Sequence, residues 1–187
     1  PAAWADFKNT TEYSAVWIGT GEINGNDKIP ATASVYGWHA QYPSYGDSTK
    51  KANNNIITIS GSKLSNVCGG VGADETANGN EITINNSNIY FITGGSSYNG
   101  MASGNKVIIN GENNIFNSVE GGTTDDGTAT GNIVTINGNV EASDFIAGGV
   151  GEAGYSKVYG NQVIIQSGTV TSNIYGGYIN SEYPDSN

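Results

Sequence analysis

A repeated pair of short motifs constrains the fold of this chain more than any other feature. Residues 79–95, GNEITINNSNIYFITGG, contain both motifs, and four other copies keep the same order with variations. The copies begin near Asn54, Gly79, Gly104, Gly131 and Gly160, so the period is about 25 to 29 residues. A period of this length is typical of solenoids, in which each repeat contacts only its neighbours.

The first motif alternates between two sides, as a β-strand does. Asn80, Ile82 and Ile84 share one side, whereas Glu81 and Thr83 share the other. Because a single strand cannot bury its apolar side, we expect successive copies to stack about 4.8 Å apart. Stacking predicts two aliphatic ladders, one of Ile57, Ile82, Val107, Val134 and Val163, the other of Ile59, Ile84, Ile109, Ile136 and Ile165.

The residues around this strand predict the corners of each coil. In every first motif an Asn lies just before the strand, and a ladder of Asn55, Asn80, Asn105, Asn132 and Asn161 is expected to satisfy backbone groups there. The second motif ends in Gly-Gly, where glycine permits a positive φ or close packing. Its inward residues are predicted to be Val67, Ile92, Val119, Ile146 and Ile174, and the outward residues that follow them Cys68, Thr93, Glu120, Ala147 and Tyr175. Replacing the outward Glu120 by Ala is therefore expected to leave stability almost unchanged.

These patterns predict an all-β fold, a parallel β-helix (β-solenoid) of about six coils. A propeller is disfavoured because each blade needs about 40 residues and four strands. The chain has 28 glycines, and Leu64 is its only leucine, which leaves little material for amphipathic helices.

The chain divides into three parts. Residues 54–177 carry the regular repeats, and residues 178–187 form a tail expected to lead to further coils or another domain. Residues 1–53 are interpreted as a divergent, aromatic-rich coil or cap with insertions near 21–30 and 39–51. Val16 and Ile18 are assigned there to a first motif, and residues 35–38 are aligned with residues 174–177.

Charge and composition exclude several kinds of partner. The formal net charge is −10, and the seven basic residues are all lysines. Phosphate and base recognition depend heavily on arginine, so nucleic acid is not expected as a partner, nor is an anionic membrane surface. Cys68 is the only cysteine, which predicts no disulfide framework, and no ligand set predicts a metal or cofactor.

The motifs GNxVxI and IYGG, with connecting segments such as NGMASGN and GTATGN, resemble repeats in the passenger regions of bacterial autotransporters. The resemblance covers about residues 54–177. It implies a right-handed, single-stranded β-helix displayed on the bacterial surface, often as an adhesin. Membrane attachment would then depend on a region outside this sequence, such as a C-terminal β-barrel.

The sequence therefore predicts an extracellular adhesin segment that binds a cell-surface glycan or protein receptor. Two alternatives stay open, a structural stalk that binds nothing and, less favoured, a polysaccharide-active enzyme. The absence of arginine excludes a lyase mechanism that uses an arginine base, and no paired carboxylates stand out, so we expect no enzyme. The candidate ligand-binding residues are exposed aromatics in loops and at outward positions: Trp38, Tyr42, Tyr45, Tyr98, Tyr155 and Tyr175.

Overall fold

The computed structural model describes residues 15–17, 21–27, 29–38, 52–72 and 76–180, and these form a β-solenoid. All the regular elements in these segments are strands, and every strand pairing is parallel. The strands are β1 (Ala15–Trp17), β2 (Gly21–Asn24), β3 (Ser34–Tyr36), β4 (Ile56–Ser60), β5 (Lys63–Cys68), β6 (Val71–Gly72), β7 (Glu81–Asn85), β8 (Asn88–Thr93), β9 (Ser96–Ser97), β10 (Met101–Ser103), β11 (Lys106–Glu120), β12 (Thr123–Thr124), β13 (Thr128–Thr130), β14 (Ile133–Gly151), β15 (Lys157–Tyr159), β16 (Gln162–Ser167) and β17 (Val170–Ile179).

The strand residues of the stacked turns form four walls. The first wall contains β2, β4, β7, the first parts of β11 and β14, and β16. The second contains β1, β3, β5, β8, the later parts of β11 and β14, and β17. Short pairs of residues in β6, β9, β12, β14 and β17 form the third wall, and β10, β13 and β15 form the fourth.

The predicted aliphatic ladders are confirmed. Ile84 pairs with Ile109, which pairs with Ile136, and all three side chains have no exposed surface. In the second wall, Ile92 and Ile146 flank Val119 in the same way. The alternation in the sequence therefore determines which side of every strand lies in the core.

The Asn ladder is also confirmed, and it joins consecutive turns at a buried corner. The Asn105 side-chain oxygen accepts hydrogen bonds from the backbone N–H (3.0 Å) and Nδ2 (2.9 Å) of Asn80. Nδ2 of Asn105 donates to the backbone oxygen of Ala77 at 2.8 Å and to Oδ1 of Asn132 at 2.9 Å. The same contacts recur along the stack, so each Asn satisfies main-chain groups that no strand pairing reaches.

The Gly-Gly pairs provide room for this ladder. A Cβ atom on Gly95 would lie 2.7 Å from Nδ2 of Asn105, and one on Gly122 would lie 2.6 Å from Nδ2 of Asn132. Positive φ angles occur instead at the residue before each Asn, which is Asn54 at +59° in the first copy and a glycine in the others, for example Gly104 at +61°. The glycines of the second motif are therefore required for close packing against the Asn side chains.

The N-terminal coil differs from its predicted layout. Val16 pairs with Val35 and therefore belongs to the second wall, not to a first motif. Ile23, within the segment predicted to be an insertion, pairs with Ile59 and lies in the core at 1% exposure. The alignment of Val35 with the second motif is correct, since Val35 pairs with Val67. The predicted insertion at 39–51 lies outside the described residues.

The stack has about four complete turns with an incomplete turn at each end, slightly fewer than the six coils predicted. At the C-terminal end of the described residues the ladders are open. Ile165 and Ile174 are 47% and 42% exposed, whereas their neighbours one turn earlier, Ile136 and Ile146, are fully buried. The last described turn thus leaves one face of the core uncovered.

Candidate ligand-binding surface

The structure places the predicted ligand-binding aromatics in different environments. Trp38 is only 8% exposed and packs against Ala52 and Ala77, so little of its ring is available for stacking on a ligand. Tyr98 and Tyr155 are 58% and 72% exposed in connecting segments. Tyr42 and Tyr45 lie outside the described residues.

Tyr175 is the predicted residue that the fold brings into an aromatic cluster. Its ring centroid lies 6.3 Å from that of Phe145 and 5.2 Å from that of Tyr178, and the Phe145 and Tyr178 centroids are 5.4 Å apart. Tyr175 belongs to the second wall and Tyr178 to the third, on either side of a Gly-Gly corner. Their ring contact shows that the outer surface is concave at this corner.

The outward positions of the second wall line this concave surface. Cys68, Thr93, Glu120, Ala147 and Tyr175 occupy consecutive turns in register, as predicted. Cys68 is nevertheless 6% exposed and Ala147 fully buried. Outward position therefore does not mean solvent exposure here, because the second and third walls enclose the space between them.

Glu120 lies in this enclosed space. Its carboxylate accepts long hydrogen bonds, both 3.4 Å, from the hydroxyls of Thr93 and Ser118. Burial, together with the nearby Glu152 carboxylate, raises the pKa of Glu120 to about 7, despite the hydrogen bonds that lower it. A smaller contribution comes from Asp144. Glu120 is therefore a carboxyl group that changes charge near neutral pH.

The neighbouring titratable groups respond to the same enclosure. Burial, and secondarily Asp125, raises the pKa of Glu152, against a hydrogen bond from Asn180 that lowers it. Burial raises the pKa of the Cys68 thiol to about 12, and Sγ donates to the backbone oxygen of Gly70 at 3.4 Å. A thiol with such a pKa stays protonated, which makes it a poor nucleophile.

We call this surface the Glu120 face, and define it as Phe91, Thr93, Ser118, Glu120, Thr123, Phe145, Tyr175 and Tyr178. It combines exposed aromatic rings with a carboxyl group and several hydroxyls. Phe91 and Phe145 pair in register with Ser118, from the turn before it and the turn after it. We call such a set of paired positions in successive turns a column. Together these groups line an outer surface that spans four successive turns.

A groove of about 570 Å³ lies beside this face, on the earlier part of the second wall. Tyr90 and Ile115, 57% and 48% exposed, form much of its apolar lining. Lys63 lies in an early turn of the groove and Glu141 in a later one. We call it the Tyr90 groove. The Tyr90 and Phe91 rings contact each other edge to face at 4.5 Å, which makes the groove and the Glu120 face one continuous surface.

Sequence reasoning missed Tyr90, Phe91, Ile115 and Phe145 as surface candidates. The sequence did contain a signal for two of them, because Phe91 and Phe145 occupy equivalent positions of the second motif. Their exposure depends, however, on how the walls bend around them.

The described segments contain no helix that is long and apolar enough to cross a membrane. Within the same segments, no three His, Cys, Asp or Glu side chains are placed to hold a metal ion.

The comparisons with known proteins give no further assignment. No family model, curated protein or solved structure matches this chain.

Proposed function

We propose that this chain is a surface-displayed segment of an autotransporter-like adhesin that attaches to host or bacterial cell surfaces. Such a protein would be extracellular and held at the outer membrane through a region outside this sequence. The proposal combines the resemblance of the repeats with the character of the outer surface. A receptor would be a cell-surface glycan or protein.

The exposed apolar surface of the second wall carries this proposal. Tyr90, Phe91 and Ile115 present 57%, 39% and 48% of their surfaces to solvent, in neighbouring turns. A continuous apolar surface of this kind, with polar residues around it, is typical of a binding site. A spacer needs none of these side chains, since the buried ladders already hold the solenoid together.

Attachment of the purified protein to a panel of host and bacterial cells tests the proposal. We expect saturable binding that weakens at least tenfold in the double variant Tyr90→Ser, Ile115→Ser. The matched control Tyr159→Ser removes a tyrosine of similar exposure, 59%, from the fourth wall and should bind normally. Tyr42→Ala and Tyr45→Ala test the alternative that residues 39–51 provide the contact.

Two results would contradict adhesion. The absence of binding to every cell type would favour the structural stalk. Equal binding by the double variant and the wild-type chain would remove the second wall as the adhesive surface.

Polysaccharide cleavage is a second candidate because of one observation. Glu120, with its pKa near 7, lies close enough to Glu152 and Asp144 to be affected by their charges. A protonated and an ionised carboxyl group on one surface are the two partners that glycoside hydrolysis uses. Release of reducing ends from polysaccharides by the wild-type protein, and its loss in Glu120→Gln, would establish this activity.

A further inference from the structure

We infer that the Glu120 face binds a neutral oligosaccharide, with its sugar chain laid along the solenoid axis across successive turns. This inference rests on the proposed adhesive function and specifies the chemical class of the ligand and its place on the molecule.

The aromatic rings provide the first requirement of a sugar site. The apolar C–H faces of pyranose rings stack on aromatic side chains, which offer large, rigid surfaces. Phe91 is 39% exposed at one end of the face, and Tyr175 is 36% exposed at the other. Phe145 lies between them and contacts Tyr175, so stacking surfaces are available in several turns.

The polar groups between the rings provide the second requirement. Ligand sites in proteins are mostly apolar, with a few placed polar groups that determine orientation. An ionised carboxylate has free lone pairs beyond the two long hydrogen bonds that Glu120 accepts, so it can accept from sugar hydroxyls. The hydroxyls of Thr93 and Thr123 flank it in the second and third walls.

Two unsatisfied atoms point independently to a polar ligand. Among the described residues, Oδ1 of Asn66 and Oγ1 of Thr123 are the buried side-chain atoms without a hydrogen-bond partner. Asn66 precedes Phe91 in the column that continues through Ser118 to Phe145, and Thr123 lies across the corner from Glu120. Unsatisfied buried polar groups are costly, and a hydrogen bond from a ligand hydroxyl or a bridging water would remove that cost.

Charge selects among sugars. Glu120, Asp144 and Glu152 carry acidic groups on or near the face, and the chain as a whole has a net charge of −10. Sulfated, sialylated and uronic-acid glycans would be repelled, because like charges held close together are unfavourable. A neutral chain avoids this repulsion and still provides hydroxyl donors for Glu120.

The repeat spacing matches the ligand. Successive turns lie about 4.8 Å apart, which is close to the length of one pyranose unit in an extended chain. Equivalent outward positions therefore recur about once per sugar along the face.

The test is a binding titration of the purified chain with neutral oligosaccharides and with sulfated and sialylated ones. We expect saturable binding of at least one neutral oligosaccharide, weakened at least tenfold in Tyr175→Ala but retained in Tyr175→Phe, which keeps the ring. Tyr159→Ala is the control, because Tyr159 is 59% exposed in the fourth wall. Thermal melts of each variant exclude unfolding as the cause of lost binding.

Three results would overturn the inference: no neutral oligosaccharide binds, acidic glycans bind more tightly than neutral ones, or Tyr159→Ala weakens binding as much as Tyr175→Ala. Cell attachment measured in parallel separates this inference from adhesion. Attachment without oligosaccharide binding would contradict the sugar site and leave the adhesin proposal intact. Oligosaccharide binding without attachment would support the site and contradict the adhesin proposal.

Discussion

Glu120 shows how far the environment of one residue can differ from its position in a pattern. Alternation places it outward, which is correct, yet the carboxyl group lies in a concave space where burial raises its pKa to about 7. The expectation that its replacement leaves stability unchanged is therefore revised, since charge at this site now depends on pH.

We expect Glu120→Gln to stabilise the protein above neutral pH. The folded-state pKa of about 7 exceeds the ordinary value of 4.5, so the folded state binds this proton more tightly than the unfolded state. Stability from Glu120 is therefore greatest below pH 4.5 and falls as the pH rises through about 7, by up to about 3 kcal/mol. Glutamine carries no charge and removes this dependence.

Thermal melts between pH 4.5 and 8 measure the effect. At pH 8 the glutamine variant should melt roughly 5 °C or more above the wild-type chain, and at the acidic limit the two should agree. Glu141→Gln, at an exposed position, is the control. If the melting temperatures of the wild-type and Glu120→Gln proteins changed equally with pH, Glu120 would be solvated in the folded state. Asp125, whose pKa is also raised by burial, contributes a slope common to both proteins.

Ile109→Asp tests the core assignment at one residue. The side chain is fully buried between Ile84 and Ile136 in adjacent turns, with no cation beside it in the ladder. A carboxyl group there should cost several kcal/mol and disrupt neighbouring turns. Circular dichroism melts should show a large loss, whereas Ile56→Asp, at a residue 50% exposed on the outward side, should change little. Equal effects of the two substitutions would contradict the inward assignment.

At the scale of elements, the corner between the fourth and first walls depends on the Asn ladder. Asn105 uses its side chain to join Asn80, Ala77 and Asn132. A second ladder, of Asn85, Asn110 and Asn137, lies at the partly exposed end of the first wall and joins side chains only. The two ladders have similar chemistry and differ in burial, which makes them a matched pair.

Asn105→Ala is expected to destabilise the solenoid by at least about 3 kcal/mol, since it leaves several buried donors and acceptors without partners. Asn110→Ala should cost less than about 1 kcal/mol, because water replaces the lost partners. Urea unfolding of both variants gives the comparison. Similar losses in the two would mean that side-chain burial does not control the strength of these ladders.

The repeat in the sequence was sufficient to predict most strands and ladders of the fold. The strands, the aliphatic ladders and the Asn ladder follow from alternation and spacing, because stacked copies place equal positions next to each other. The N-terminal coil was assigned incorrectly because it does not follow this repeat. Its strand around Ile23 lacks the Asn and most of the aliphatic pattern, so only its pairing with β4 reveals it.

For the whole molecule, the unequal covering of the turns predicts unequal local stability. Turns in the middle of the stack are paired on both sides. Among the described strands, however, β16 and β17 pair on one side only and leave Ile165 and Ile174 exposed. Solenoid stability depends on contacts between nearest neighbours, so the last turn should open most readily.

Hydrogen–deuterium exchange should therefore show strong protection in peptides from residues 106–120 and much faster exchange in residues 162–179. The measurement is best made at low protein concentration, where end-to-end association is minimal. Equal protection in both segments at every dilution would show that the last turn is as stable as the middle ones, and would contradict nearest-neighbour control.

The sequence alone determined the parallel β-solenoid and the side of each strand that faces the core, because a strict repeat forces identical positions into contact. It also identified Tyr175 as an outward aromatic. The tertiary structure decided which outward positions are exposed, since exposure depends on how the second and third walls bend towards each other. That bend encloses Glu120 and brings Phe145, Tyr175 and Tyr178 together. The stacking of turns likewise decided that Trp38 is buried, because it packs against Ala52 and Ala77.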